Sequence, residues 1–501
     1  MQTICDIFVI GGGINGVAIA ADAAGRGLSV TLCEKGDLAS GTSSASSKLI
    51  HGGLRYLEFY EFNVVRKALH EREILLQRAP NIITPLEFVL PYEKHLRSPW
   101  LIRFGLFLYD HLSRRNYLPS SSSIDFKNDL RGAPLKAEFL KGFSYYDCYT
   151  DDARLVVLNA MSAQENGATI LTHTQFASAL RENNLWKIVL KNSHSAEESI
   201  HYAKALINAA GPWVKQVQEN ISDSKLKFNV ELVKGSHIVV PKLYDGDFAY
   251  ILECDDKRII FAIPYQEDFT LIGTTDKNFN LNLDEVTINA DEKEYLCRII
   301  NYYFQKNITL NDIVWSYSGV RCLQAGDDGN LSEITREYKL LLDNNPNPLL
   351  TVIGGKLTTH RVLAEGVLAL LQPYFPAMKK PWTAFAKLPG SDFAELSVEK
   401  FSQQFKSKNS WLPEKIANRY VRDYGTNANK IIANATSLND LGKEFPGGLY
   451  QKEIEYLLAN EWAETAEDIL WRRTKLGLVF SEKDVDDLKS WLTQACHIRE
   501  I

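Results

Sequence analysis

Long apolar runs are missing from this 501-residue chain. No stretch reaches the roughly 18 residues that a helix needs to cross a bilayer, so the sequence predicts no spanning helix. Cysteine is scarce. The seven residues stand alone at 5, 33, 148, 254, 297, 322 and 496, with no CxxC pair, which excludes a disulfide framework and suits a reducing compartment. Positive charge is not in excess: 56 Lys and Arg against 62 Asp and Glu leave a net charge of −6, which argues against a general nucleic-acid binder. The N-terminus lacks a basic segment, and its apolar run stops at three glycines, so it reads as a first strand and not as a signal peptide. Internal repeats and low-complexity tracts are absent, apart from a four-serine run at 120–123 that reads as a loop. A composition of 45% apolar and 24% charged residues is that of an ordinary globular protein, and the length predicts two to four domains.

What is present starts at once, in "CDIFVIGGGINGVAIAADAAGRGLSVTLCEKGD". Residues 7–10 form an apolar strand, and Gly11, Gly13 and Gly16 fit GxGxxG. Residues 17–27 are small and helical, and residues 28–33 form a second strand that ends at Glu34, 18 residues after Gly16. The first glycine permits the turn, the second lets backbone approach a pyrophosphate, and the third lets helix and strand pack closely. The helix N-terminus offers free N–H groups to phosphate. Glu34 is placed to accept from ribose hydroxyls, and an acid there disfavours the 2′-phosphate of NADP.

The next segment distinguishes NAD from FAD. A compact NAD domain would continue with an amphipathic helix. Here residues 40–48 carry Ser40, Thr42, Ser43, Ser44, Ser46 and Ser47 and end at Lys48, a row of short donors suited to an extended anionic ligand. Two further strand-to-glycine turns follow, "ALINAAGPWV" (205–214) and "LLTVIGGKLTTHR" (349–361). Three separated turns of this kind point to one long cofactor gripped at several places, and FAD is such a ligand.

These stretches, with "TSSASSKLIHGGLRYLE", "VKGSHIVVP", "LIGTTD", "SYSGVR" and "LWRRTKLGL", closely resemble the FAD-dependent, aerobic glycerol-3-phosphate dehydrogenases, a family of the D-amino-acid-oxidase-like flavoproteins. The match runs in order from residue 5 to about 490. It implies oxidation of sn-glycerol 3-phosphate to dihydroxyacetone phosphate by hydride transfer to FAD N5, with electrons passed on to ubiquinone. It also implies a cytoplasmic enzyme bound peripherally to the inner face of the cytoplasmic membrane, and a homodimer. By resemblance, FAD is held by Gly11, Gly13, Asn15, Gly16, Glu34, Thr42, Ser43, Ser47, Lys48, Leu49, Ala177, Gly211, Gly355, Lys356, Leu357 and Thr358. Arg55, Tyr56, Arg321, Arg336 and Lys356 line the substrate and flavin site. Arginine suits a phosphate because its planar fork donates two parallel hydrogen bonds. Thr274 reaches either substrate or flavin. The catalytic candidates are Arg321, His237, Lys356 and His51: His237 or His51 takes the hydroxyl proton, or Arg321 steadies the forming alkoxide. Two positions depart from the family. Cys322 stands where relatives carry Pro, and His360 where they often carry an aromatic residue; His360 is assigned no role.

The expected fold class is α/β. A Rossmann-type FAD-binding domain takes 1–90, 150–230 and 350–385. A substrate domain built on a mixed or antiparallel sheet takes 90–150 and 230–350, and an all-α domain takes 390–501. "YTDDARLVVLNAM" reads as a helix capped by Thr150 or Asp151, with Asp152 and Arg154 as possible supports of the site. In residues 94–115, five Lys or Arg accompany one Asp, and nine of the thirteen residues from 100 to 112 are apolar. Such a segment suits the lipid interface, with a buried core or dimer helix as the alternative. Three other readings stay open: an oxidase that uses oxygen, an amine or hydroxy-acid oxidase, and a non-catalytic flavin-bound interaction protein. No metal site is expected.

Overall fold

The computed structural model describes residues 4–93, 97–222, 224–324, 337–344, 346–394 and 396–499, with the course of the helix alone for 495–499. Strand β1 (Ile4–Ile10) lies inside the first sheet and is apolar on both sides. Ile7 and Val9 pack toward helices, while Phe8 and Ile10 pack toward a β-layer on the opposite face. Across this sheet the order is Lys339–Asp343, Leu349–Ile353, Glu198–Asn208, β1, Val30–Cys33 and Thr169–Leu171. The first pair is antiparallel and the others are parallel. Buried parallel strands read as continuous apolar runs because both faces are covered. One face carries the helices Ile14–Gly25, Asp152–Glu165 and His360–Leu371. The other is covered by the hairpin Thr174–Glu182 and Leu185–Asn192, which buries Phe176, Trp186, Ile188 and Leu190.

The second sheet has ten strands and is mixed. Its order is Lys277–Asn278, Val230–Pro241, Phe269–Gly273, Ile259–Tyr265, Phe248–Glu253, Ile83–Pro91, Lys141–Thr150 and Leu49–Ile50. Trp315–Gln324 also pairs with Val230–Pro241, and Ser122–Asp125 with Lys141–Thr150. The Phe248–Glu253 and Ile83–Pro91 pair is parallel, and the other pairs are antiparallel. Helix Ala290–Tyr303 covers one face, started by a capping box between Asn289 and Glu292. From Val398–Lys408 onward the chain is almost wholly helical, around a core of its own. The expected α/β architecture with a C-terminal helical part is present.

A buried lattice of charges ties that helical part to the first sheet. The π-helix Asp468–Arg473 ends in the "WRR" of the motif noted above. Arg473, wholly buried, donates to both oxygens of Asp37 at 2.9 and 2.7 Å and to the Glu461 carbonyl at 2.6 Å. Arg472 reaches Asp37 at 2.6 Å. Arg154, from the first-sheet side, forms a two-pronged pair with the Glu461 carboxylate, and Lys475 meets Asp151 at 2.9 Å. Trp471 stacks on Trp315 of the second sheet with ring centroids 4.3 Å apart. A second buried group sits where the Leu349–Ile353 strand turns into its helix. His360 is fully buried and donates from Nδ1 to the Leu357 carbonyl at 2.7 Å.

Both features have measurable consequences. Glu461→Gln leaves the Arg154 and Arg473 guanidinium groups under-compensated in the interior. It is expected to cost about 3–5 kcal/mol, read as a melting temperature lowered by several degrees. An unchanged melting curve would remove the lattice from any role in stability. Burial first, and then Arg78 and Arg361, push the His360 pKa down to about 3, against the pull of its bond to Leu357. Below about pH 6.5 the unfolded chain therefore takes up a proton that the folded chain refuses, and stability falls as pH falls. His360→Phe is expected to abolish about 2 kcal/mol of the native protein's stability loss between pH 7 and pH 5. Parallel acid limbs for the two proteins would contradict this.

Candidate active site

The glycine turn is set by close packing. Gly11 has φ +112°, and a Cβ there would lie 2.6 Å from the Ala209 carbonyl; a Cβ on Gly16 would lie 1.9 Å from the Gly11 carbonyl. Glu34 accepts from the Gly12 N–H at 2.7 Å and the Gly36 N–H at 3.0 Å. Burial raises its pKa, and those two N–H groups pull the other way. Asn15 donates to the Gly354 carbonyl at 3.0 Å, which joins the first glycine cluster to the third, 339 residues away. Its Oδ1 is buried without a hydrogen-bond partner among the described residues.

The hydroxyl-rich segment is organised by one carboxylate. Asp152 begins its helix and is fully buried, while Asp151 caps that helix by accepting the Arg154 N–H at 3.0 Å. One Asp152 oxygen takes the Ser46 N–H at 3.1 Å and its hydroxyl at 2.7 Å, and the other takes Lys48 Nζ at 2.7 Å. Lys48 also donates to the Ser44 carbonyl at 3.0 Å and lies 5.0 Å over the Tyr317 ring. Thr42 is tied to the Val320 carbonyl at 2.6 Å, and Ser43 accepts from the Ile14 N–H at 3.0 Å at the helix N-terminus. The segment is thus held open along its length as a wall.

That wall lines a cavity of about 1140 Å³. Large for a single small ligand, it has room for a dinucleotide and a small substrate together. Gly11, Gly13, Asn15, Glu34, Thr42, Ser43, Ser47, Leu49, Gly211, Gly355, Lys356, Leu357 and Thr358 line it. So do His51, Arg55, Tyr56, His237, Thr274 and Arg321. Three expected residues lie off its lining. Gly16 is buried under Gly11, Lys48 is consumed by Asp152 beneath the wall, and Ala177 falls in the irregularity between Phe176 and Ser178 of the covering hairpin. Arg336 falls outside the described residues. The sequence reading passed over Trp213, Lys257 and Arg258, which also line the cavity. Trp213 sits within the quoted "NAAGPWV" motif, whereas nothing around Lys257 and Arg258 signals a site.

At the end of the cavity shared with the second sheet, His237 is buried, with Nε2 at 2.9 Å from Ser47 Oγ and its ring stacked 4.9 Å from Tyr317. A Cβ on Gly273 would lie 2.1 Å from the imidazole, so the glycine makes room for the ring. Burial, then Lys48 and Arg321, hold the His237 pKa well below the usual histidine value. Arg321 meets Asp276 at 3.1 Å and keeps about a third of its side chain exposed. Lys356 Nζ stands 4.0 Å over the Tyr56 ring. Thr358 Oγ1 accepts the His51 N–H at 3.2 Å. Neutral imidazole, three cations and a glycine-lined trough therefore share one space, a set able to bind an anion and take a proton from a hydroxyl beside it. The trough, its short donors and the buried Asn15 acceptor fit a dinucleotide.

The family model described as FAD dependent oxidoreductase matches residues 6–361. That described as C-terminal domain of alpha-glycerophosphate oxidase matches residues 382–493. A glycerol-3-phosphate dehydrogenase of Pseudomonas aeruginosa is 52% identical over 96% of this chain and 93% of its own length. A D-erythritol 1-phosphate dehydrogenase of Brucella abortus is 48% identical over 98% of each chain. Among solved structures, a glycerol-3-phosphate dehydrogenase from Bacillus halodurans complexed with FAD superposes with a TM-score of 0.77 at 27% identity, covering 98% of this chain and 91% of that one. The chain belongs to the FAD dependent oxidoreductase family.

Proposed function

We propose that the chain oxidises sn-glycerol 3-phosphate to dihydroxyacetone phosphate and passes the electrons to ubiquinone at the inner face of the cytoplasmic membrane. The meeting of Arg55, Arg321 and Lys356 with His237 in one FAD-type cavity carries the substrate half of this reading. The names of the relatives support it. Arg321 and Lys356 bind the phosphate dianion, and Arg55 and Tyr56 close the cavity over it. When bound, FAD supplies at N5 the acceptor for the hydride that leaves C2, and carries both electrons onward. His237 is neutral and offers an imidazole lone pair to the departing hydroxyl proton. A bound dianion offsets the Lys48 and Arg321 charges that hold its pKa down, so substrate itself strengthens the base. The same cations suit the phosphate of a longer polyol, in keeping with the erythritol phosphate relative.

The acceptor half rests on the surface. Among the described residues no helix is long and apolar enough to cross a membrane. Helix Pro99–His111 buries Leu106 and Tyr109 but exposes Trp100, Phe104 and Phe107. Arg103 and Asp110 share the Ser121 hydroxyl, at 2.7 Å each, and Arg103 stays exposed beside the aromatic residues. Phe59, half-exposed, lines the cavity, and Tyr60 and Phe62 beside it are exposed. An apolar patch at the mouth of a flavin cavity suits lipid and a quinone. Oxygen is the second reading, favoured by the match of residues 382–493 to the oxidase C-terminal domain.

An anaerobic titration tests both halves. Glycerol 3-phosphate is expected to bleach the flavin absorbance more readily than D-erythritol 1-phosphate, and a short-chain ubiquinone to restore it before air is admitted. Colour that persists with glycerol 3-phosphate would reject the substrate; recovery only with air would reject the quinone. Arg321→Ala, with FAD retained, should lose about a hundredfold or more of turnover. Trp100→Asp combined with Phe104→Asp should release the protein from anionic vesicles while dye-linked turnover in solution is kept. Vesicle binding equal to that of the native protein would refute the membrane surface.

A further inference from the structure

A cluster of two histidines and a glutamate lies outside the cavity and takes no part in the function proposed above. His173 occupies the turn between Thr169–Leu171 and Thr174–Glu182 with φ +48°. Its N–H donates to the Gly36 carbonyl at 2.9 Å, and its carbonyl accepts the Ser193 N–H at 2.8 Å. His194 follows at the hairpin end, where its N–H donates to Asn192 Oδ1 at 2.8 Å. Glu464 comes from the C-terminal helical part, with its N–H on Asp468 Oδ2 at 2.9 Å. Three separate segments are thereby fixed around one point.

The side chains converge there. His194 Nε2 is 3.0 Å and His173 Nε2 is 3.6 Å from the same Glu464 Oε2, and the three potential ligand atoms all lie within 4.8 Å of one another. The imidazole rings lie 4.8 Å apart and 32° from parallel. His173 Nε2 is buried without a hydrogen-bond partner among the described residues, while the His194 and Glu464 side chains are 61% and 44% exposed. Zn–N and Zn–O bonds of about 2.0–2.2 Å place tetrahedral ligand atoms about 3.3 Å apart. Two of the separations are already near that value, and the exposed side chains are free to rotate to close the third. Two imidazoles with one carboxylate suit a divalent transition metal better than Mg²⁺ or Ca²⁺, which take all-oxygen sets.

We propose that His173, His194 and Glu464 bind one Zn²⁺, with water in the fourth position, as a structural staple. The staple fastens the helical C-terminal part to the turn that packs on the cofactor loop. Thr174 N–H donates to the Glu34 carbonyl at 2.7 Å and Ser193 Oγ to the Lys35 carbonyl at 2.8 Å, so both sides of the hairpin end rest on that loop.

The test uses the FAD-loaded, untagged full chain equilibrated with Zn²⁺. One metal per chain is expected, with X-ray absorption reporting only nitrogen and oxygen neighbours at about 2.0–2.1 Å. His194→Ala and Glu464→Gln, both at exposed side chains, should each weaken Zn²⁺ binding about tenfold or more while flavin content is unchanged. A tenfold excess of Mg²⁺ should not displace the metal. Undiminished affinity in both variants, sulfur neighbours near about 2.3 Å, or no saturable uptake would each overturn the assignment.

Discussion

Charge cannot be left unpaired in a protein interior, and this chain buries several ion pairs at one junction. Asp37 lies three residues beyond Glu34, on the loop that follows the second strand of the glycine-turn unit. It receives Arg472 and Arg473 from a segment more than 430 residues later. Glu461 receives Arg154, and Asp151 receives Lys475. Take away the helical part and Asp37, Asp151 and Arg154 lose their counter-charges together. The helical part thus supplies the counter-charges that hold the Glu34–Asp37 loop and the start of the Asp152–Glu165 helix in place. Lys48 and Asp152 extend the lattice inward and decide the course of residues 42–48, the long wall of the cavity.

The same lattice shapes the chemistry. Lys48 keeps its charge buried beneath the wall, close enough to His237 to lower its pKa. Arg321 adds to that effect from the open side, where Asp276 answers part of its charge. Burial first, and then these two cations, hold the imidazole neutral. A fully exposed histidine would titrate near neutral pH whatever was bound. Buried beside two cations, His237 is kept below that range.

Local patterns were legible and distant ones were not. Gly11, Gly16 and Glu34 follow from packing and hydrogen bonding within one strand–helix–strand unit, so spacing alone identifies them. The strands of the second sheet follow from apolar runs such as Val230–Pro241, which is buried throughout from Val233 to Val240. Lys48 reads as a cofactor ligand because it ends a run of hydroxyls, yet its partner Asp152 is 104 residues away and claims its ammonium. The cap of the helix that follows is local and legible: Asp151, one of the two residues expected there, accepts the Arg154 N–H. Lys257 and Arg258 reach the cavity from a turn between strands whose sequence carries no signal, because only the folding of the second sheet over the first brings them there. The segment 94–115 shows both outcomes. Its apolar, aromatic character is evident from composition, whereas the bonding of Arg103 and Asp110 to one Ser121 hydroxyl depends on a loop contact.

One geometric consequence joins the surface to the interior. Leu54–Phe59 is a single 3-10 stretch that presents Arg55 and Tyr56 to the cavity and Phe59 to its mouth. Gly53 precedes it with φ +78°, and a Cβ there would strike the Tyr56 ring at 2.4 Å. The turn is therefore folded tightly against its own aromatic residue, and Lys356 rests on the other partner of that contact, 4.0 Å from the ring centroid. One short element thus carries Arg55 and Tyr56 on the cavity lining and the half-exposed Phe59 beside them. Tyr60 and Phe62, both exposed, follow on the same backbone, so the aromatic surface and the Arg55 side of the cavity are joined by a few consecutive residues.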